Sequence, residues 1–270
     1  MNHPIVLIHG LWLNALSWEH WVERYRSRGC YTVIAKSWPG LEGEPPTLRA
    51  HPPDVGDLGI KEIVDFYIDD VLGKLDRKPI IIGHSFGALV TQILLDLGWG
   101  IAGVALDSAP VPQNYRLPWS ALKSSFPALK NPANRHRMVE LTPEEFRYAF
   151  TNAMTDDDAK AAYERYSIPG PGRPLFQAAF AGITPNAPSA IDFENDDRAP
   201  LLVITGTEDH VSPPAIDRRI AKLQRRSHAI TGYKEFAGRG HFILGQPGWE
   251  EVADFALDWA LSPRALDERI

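Results

Sequence analysis

Six short runs rich in aliphatic and β-branched residues, at 4–8, 31–35, 79–82, 101–107, 200–205 and 233–236, are spaced along the chain. Between and beyond them, apolar residues recur at helical spacing over 17–28, 60–75, 85–97, 213–226 and 249–261. Such alternation returns the chain to the same edge of each successive strand and buries the strands on both faces. The expected fold class is therefore α/β, a mostly parallel sheet of about six strands covered by helices on both faces. Ligands of open sheets of this kind sit at the carboxyl ends of the strands.

The rhythm breaks once. From 111 to 197 no strand-like run occurs and helix signals dominate: Thr142-Pro143 with Glu145 as a capping box, then Thr155 with Asp158 before a helical run over 159–166. The chain is expected to divide into a core domain, 1–110 with 198–270, and a helical lid, 111–197, inserted after the fourth strand. A second unusual stretch, 39–59, is rich in Pro and Gly and reads either as a rim loop or as a solvated excursion.

Composition narrows the partners. A chain of 270 residues with 44% hydrophobic content buries a sizeable core, and a formal net charge of -6 gives no basic face for nucleic acid or anionic lipid. The single cysteine, Cys30, opens an apolar run and reads as a buried structural thiol, with no internal disulfide and no multi-cysteine metal site. The sequence starts almost directly on its first strand, without the pattern of a signal peptide, and no apolar stretch has membrane-spanning length. A cytoplasmic protein acting on a small molecule is expected, without nucleic acid or membrane; a homodimer is left open.

The chemistry-bearing stretch is "KPIIIGHSFGALVTQ", in which Ser85 stands where an isoleucine-rich strand must turn into a helix. Gly-x-Ser-x-Gly alone occurs by chance in roughly one chain in ten of this length. The flanking strand and helix make it a candidate nucleophile turn. A serine hydroxyl needs a base within reach, and the base a third group to fix its tautomer. Two further strand ends supply candidates: "GTEDHVSPP" carries Asp209 before a helix that Ser212 caps and Pro213 begins, and "AGRGHFIL" carries His241. Ser85, Asp209 and His241 thus each follow a strand.

In that order the motifs resemble the α/β-hydrolase family over nearly the whole chain: "GHSFG" its nucleophile elbow, "GTEDHVSP" its acid turn, "GRGHF" its base loop and "HGLW" its oxyanion loop. The resemblance implies Ser85 as nucleophile, His241 as base, Asp209 as the orienting acid, and the amides of Leu11 and Phe86 as oxyanion donors. Some relatives take the acid from the preceding strand end, which makes Asp107 the alternative. Because position 85 is Ser, relatives that attack through an aspartate are poor models. His9 and His84 are expected to hydrogen-bond and pack, and His210 has no partner at metal-ligand spacing, so no metal and no cofactor is expected. Phenylalanines 126, 146, 150, 176 and 180 in the lid suggest an apolar or aromatic substrate, with Trp12, Phe146 and Phe150 as binding residues. The expected activity is hydrolysis of a carboxylic ester or lactone through an acyl-enzyme. A carbon-carbon hydrolase, lyase or cofactor-free oxygenase is the alternative on the same scaffold, and a hydrolase-like small-molecule receptor the alternative that is not an enzyme.

Overall fold

The computed structural model describes residues 3–29, 31–113 and 118–269. Cys30 lies outside the described residues. In chain order the strands are β1 (Ile5–Ile8), β2 (Val33–Ala35), β3 (Ile80–His84), β4 (Ala102–Leu106), β5 (Met138–Val139), β6 (Gly170–Pro171), β7 (Leu201–Gly206), β8 (Thr231–Phe236) and β9 (Leu266–Glu268). The α-helices are α1 (Glu19–Gly29), α2 (Pro45–Ala50), α3 (Ile60–Phe66), α4 (Phe86–Asp96), α5 (Trp119–Leu129), α6 (Pro143–Ala149), α7 (Asp156–Tyr166), α8 (Arg173–Ala179), α9 (Pro214–Gln224) and α10 (Trp249–Leu261).

Seven strands pair in the order β2-β1-β3-β4-β7-β8-β9, all parallel. Ile5 to Ile8, Ile80 to Ile82 and Leu201 to Ile204 are fully buried, as strands covered on both faces must be. One cover is α1 with α10, joined by the bidentate Arg24–Asp254 pair and by the Tyr25 hydroxyl donating to the Ala253 carbonyl. The other holds α3, α4 and α9, with Gln224 on α9 donating to Gln92 on α4 at 3.0 Å. Among the described residues no helix is long and apolar enough to cross a membrane.

The sheet has one strand more than the six expected. β9 reads Leu-Asp-Glu and is largely exposed, so it carries no hydrophobic pattern; ion pairs from Lys234 to Glu268 and Arg225 to Asp267 hold it beside β8. Residues 60–75 are helical but not uniformly: α3 widens into a π turn over Tyr67–Val71 and tightens into a 3₁₀ turn over Leu72–Lys74. The Pro-rich stretch 39–59 is no solvated excursion. It contains α2, whose Arg49 donates to the Ser167 and Glu164 carbonyls and lies 5.4 Å over the Tyr163 ring, docking the stretch on α7.

Between β4 and β7 the chain forms α5 to α8. The Thr142 capping box closes as expected, with Glu145 N–H donating to Thr142 Oγ1 at 3.2 Å and Thr142 N–H to Glu145 Oε2 at 2.9 Å. This segment is not free of strands: β5 and β6 make an antiparallel pair of two residues each, too short to leave a period in the sequence. It lies across the strand ends. Trp12 Nε1–H donates to the Val139 carbonyl, Asn152 to the Glu208 carbonyl, and Phe242 N–H to the Phe150 carbonyl, so the segment touches the loops after β1, β7 and β8.

Candidate active site

The turn from β3 to α4 forces Ser85 to φ 56° and ψ −119°, a conformation that costs a non-glycine residue on the order of 1–3 kcal/mol. Close packing imposes it. A Cβ on Gly83 would lie 2.1 Å from the Gly87 carbonyl oxygen, and one on Gly87 would lie 2.1 Å from that of Ile8, so β3, α4 and β1 converge only with glycine at both places. Phe86 is the first residue of α4, and its N–H therefore has no intrahelical acceptor. Of the four non-glycine residues with positive φ among those described, Trp12, Ser85 and Asp107 stand at strand ends facing this region.

Asp209 follows β7. Its Oδ1 accepts from Val211 N–H at 2.6 Å and Ser212 N–H at 2.9 Å, and its Oδ2 accepts from His241 Nδ1 at 2.7 Å. Both side chains are completely buried. With the proton on Nδ1, Nε2 of His241 keeps its lone pair, and that atom is buried with no hydrogen-bond partner among the described residues. His84, the residue before Ser85, donates from Nε2 to the His241 carbonyl at 2.7 Å and thereby ties the His241 loop to the Ser85 turn. Burial, then the neighbouring His241, push the His84 pKa well down, so this ring stays neutral.

Asp107, the alternative acid, accepts the Gly206 N–H at 2.8 Å; the hydrogen bond to His241 is made by Asp209. Burial first, then the neighbouring Asp209 and Asp217 carboxyls, raise the Asp107 pKa well above the usual carboxyl range. Among the described residues, His84, Asp107 and His241 form the one group whose potential metal-ligating atoms converge within 4.8 Å. Each uses one ligating atom in a hydrogen bond, to the His241 carbonyl, the Gly206 amide and Asp209, while the other, His84 Nδ1, Asp107 Oδ2 and His241 Nε2, is buried without a hydrogen-bond partner among the described residues.

The loop after β1 is held by His9. Its Nδ1 donates to the Gly10 carbonyl at 2.8 Å, its Nε2 accepts from Trp38 N–H at 2.9 Å, and its ring stacks on Trp38. Gly10 C=O and Leu11 N–H belong to one trans peptide and point opposite ways, so fixing the carbonyl fixes the direction of the amide. Burial lowers the His9 pKa to about 4 and keeps the ring neutral.

Beside Ser85 lies a small cavity of about 50 Å³ that opens to solvent. Phe86 forms its floor, Ala121 and Leu122 of α5 and Leu175 and Ala178 of α8 its walls; Ser125 and Ser212 add hydroxyls, and none of the described lining residues is charged. Phe146, Phe150 and Trp12 are not among the lining residues. Phe150 meets the His241 ring edge-on at 4.9 Å, Phe146 stacks on Phe150 at 4.7 Å, and Trp12 meets Phe150 edge-on at 6.2 Å. The spacing of four does place Phe146 of α6 and Phe150, its C-cap, on one side, but that side backs the His241 loop. Ser212 also departs from expectation: α9 begins at Pro214, and the Ser212 hydroxyl donates to the Ser108 carbonyl at 2.6 Å instead of capping the helix.

An α/β-hydrolase family model matches residues 5–255, and the chain belongs to that family of enzymes. The relatives it matches here are distant in sequence. It is 24% identical over 234 residues, 85% of this chain and 81% of the other, to an (E)-2-((N-methylformamido)methylene)succinate hydrolase of Acinetobacter baylyi. A monoacylglycerol lipase of Paleococcus ferrophilus shares the fold with a TM-score of 0.66 at 22% identity, covering 97% of this chain and 96% of that one. A pyrethroid hydrolase of Sphingobium faniae JZ-2 does so with a TM-score of 0.66 at 19% identity, over 97% and 98%.

Proposed function

We propose that the protein is a serine hydrolase that cleaves an uncharged carboxylic ester or lactone through an acyl-enzyme on Ser85. The observation that carries this reading is the Asp209–His241 pair at 2.7 Å, which leaves an unprotonated, unpartnered Nε2 on the loop that His84 fastens next to Ser85. His241 Nε2 takes the Ser85 proton as Oγ attacks the acyl carbon. The oxygen that becomes negative is received by the N–H groups of Leu11 and Phe86, each such donor being worth on the order of 3 kcal/mol. His241 then returns the proton to the leaving oxygen as its bond to carbon breaks, and water repeats the sequence to free Ser85. In a lactone the leaving hydroxyl remains attached to the acyl chain.

Uncharged, apolar lining of the cavity beside Ser85 supports a neutral substrate, packed under a lid formed by α5 to α8. The Acinetobacter relative is named for a succinate; among the described lining residues no cation stands ready to pair with such a carboxylate. The test is a panel of p-nitrophenyl esters, lactones and vinylogous diketones, run with wild type and Ser85→Ala, with and without EDTA. Ester or lactone turnover that survives EDTA and disappears in Ser85→Ala is expected. Turnover of the diketones alone would favour carbon-carbon cleavage, and absence of turnover together with tight ligand binding would favour a receptor.

A further inference from the structure

We propose that Asp217 is held in the fold as a neutral carboxylic acid and, through Ser212, is the positioning residue of the turn that carries Asp209. The functional half of this inference rests on the reading of Asp209 as the acid of the site. Asp217 lies in the first turn of α9 and is fully buried. Its Oδ1 accepts from Ser108 N–H at 3.1 Å, and its Oδ2 lies 3.3 Å from Ser212 Oγ. Asp217 therefore joins the turn after β4 to the turn after β7.

The hydrogens around Ser212 argue for the protonated form. Ser212 Oγ has one hydrogen and two acceptors within reach, the Ser108 carbonyl at 2.6 Å and Asp217 at 3.3 Å. The carbonyl cannot donate, so the shorter contact takes the hydroxyl hydrogen. Two oxygens without a proton between them would repel in a buried site, so the hydrogen in the Asp217–Ser212 contact belongs to Asp217. In that state the contacts form one chain: Oδ2–H donates to Ser212 Oγ, Ser212 Oγ–H to the Ser108 carbonyl, Ser108 N–H to Oδ1, and the Thr205 hydroxyl also faces the carboxyl. Ser212 N–H meanwhile donates to Asp209 Oδ1, which links the network to the Asp209–His241 pair.

The surroundings agree. Asp107, Asp209 and, on β8, Tyr233 are the titratable groups facing Asp217, while Arg218, its neighbour on α9, is engaged by Glu235 in two bonds of 2.6 and 2.8 Å. Burial, then the charge of Asp209, push the Asp217 pKa well above the carboxyl range.

The test combines denaturation and kinetics. A carboxyl that is protonated when folded and ionised when unfolded destabilises the fold increasingly as pH rises, one proton corresponding to about tenfold in the unfolding equilibrium constant per pH unit. Asp217→Asn keeps both hydrogen bonds and has no proton to lose. The ratio of unfolding constants, wild type over Asp217→Asn, should therefore climb about tenfold per pH unit across the pH 5 to 8 range, above the unfolded pKa of about 4. A flat ratio would show Asp217 ionised in the fold and overturn the proposal. This measurement needs no substrate, so it stands whether or not ester hydrolysis is found. For the positioning role, Asp217→Asn should keep kcat/KM within about threefold, while Asp217→Leu should lose on the order of a hundredfold, in kcat more than KM, as expected of a displaced catalytic group. Equal losses in Asn and Leu variants, or a Leu variant with wild-type kcat, would refute that role.

Discussion

The two walls of the site are held by different forces. On the sheet side, Ser85, Asp209, His241 and the Gly10–Leu11 peptide are each fixed by backbone strain or by directional bonds of 2.6 to 2.9 Å to groups that are themselves buried. On the other side, α5 and α8 meet the cavity with aliphatic side chains, and apolar side chains also face solvent there: Trp119, Leu122 and Phe126 of α5 and, just past α8, Phe180 and Ile183 are exposed, Ile183 by 82%. Directional bonds fail abruptly when one atom is changed, whereas apolar contact varies with volume by small steps. Reaction class should therefore be sensitive to single atoms on the sheet side, and substrate range to side-chain size on α5 and α8.

The largest effect expected from this contrast is at Asp209. Asp209→Asn keeps the shape of the turn but presents a donor where His241 needs an acceptor, and kcat should fall on the order of ten-thousandfold, as wrong-tautomer variants do. Asp107→Asn, whose carboxyl instead accepts the Gly206 amide, should lose far less. Steady-state kinetics on one activated ester checks both, and the reverse ranking would move the acid to the end of β4.

A smaller effect belongs to the opposite wall. Leu122→Trp enlarges a lining residue of the cavity without touching the bonded side, so the kcat/KM ratio of octanoate to acetate ester should drop by roughly 1 to 3 kcal/mol, tens of fold, with the acetate rate little changed. Loss of both rates together would show that α5 contributes to the chemistry and would erase the distinction between the walls.

The smallest is a stability effect at His9. An unfolded histidine titrates near 6.5 and the buried ring near 4, so the unfolded chain binds the extra proton between those values and the fold loses stability as pH falls through them. The loss amounts to roughly 3 kcal/mol over that interval. His9→Asn should remove it, read as a shallower acid limb in the pH dependence of denaturation. An unchanged limb would mean that His9 is not buried neutral.

The same contrast explains what the sequence made legible. The strand ends could be found because each catalytic candidate sits in a local pattern: Ser85 between Gly83 and Gly87, Asp209 just past the apolar strand β7, His241 in a loop after β8. The Asp209–His241 bond, however, joins residues 32 apart and had to compete with Asp107, whose acceptor role toward Gly206 has no local signature. Asp217 was invisible for a related reason: a carboxylate on an amphipathic helix reads as solvent-facing unless its partners, Ser108 and Ser212, are known to converge on it. Helical spacing puts Phe146 and Phe150 on one face without saying which neighbour that face meets; they meet each other, Trp12 and His241. β9 went unseen because ion pairs hold it where apolar side chains hold the other strands.

The central claim is that carbon bonds to Ser85 Oγ during turnover. The direct measurement is acid quench of the enzyme during reaction with a slowly deacylating ester, followed by intact mass and peptide mapping. One acyl group per chain, on the peptide containing Ser85 and absent from Ser85→Ala, is expected. Turnover by wild type with no adduct, or with the acyl group on another residue, would contradict the account.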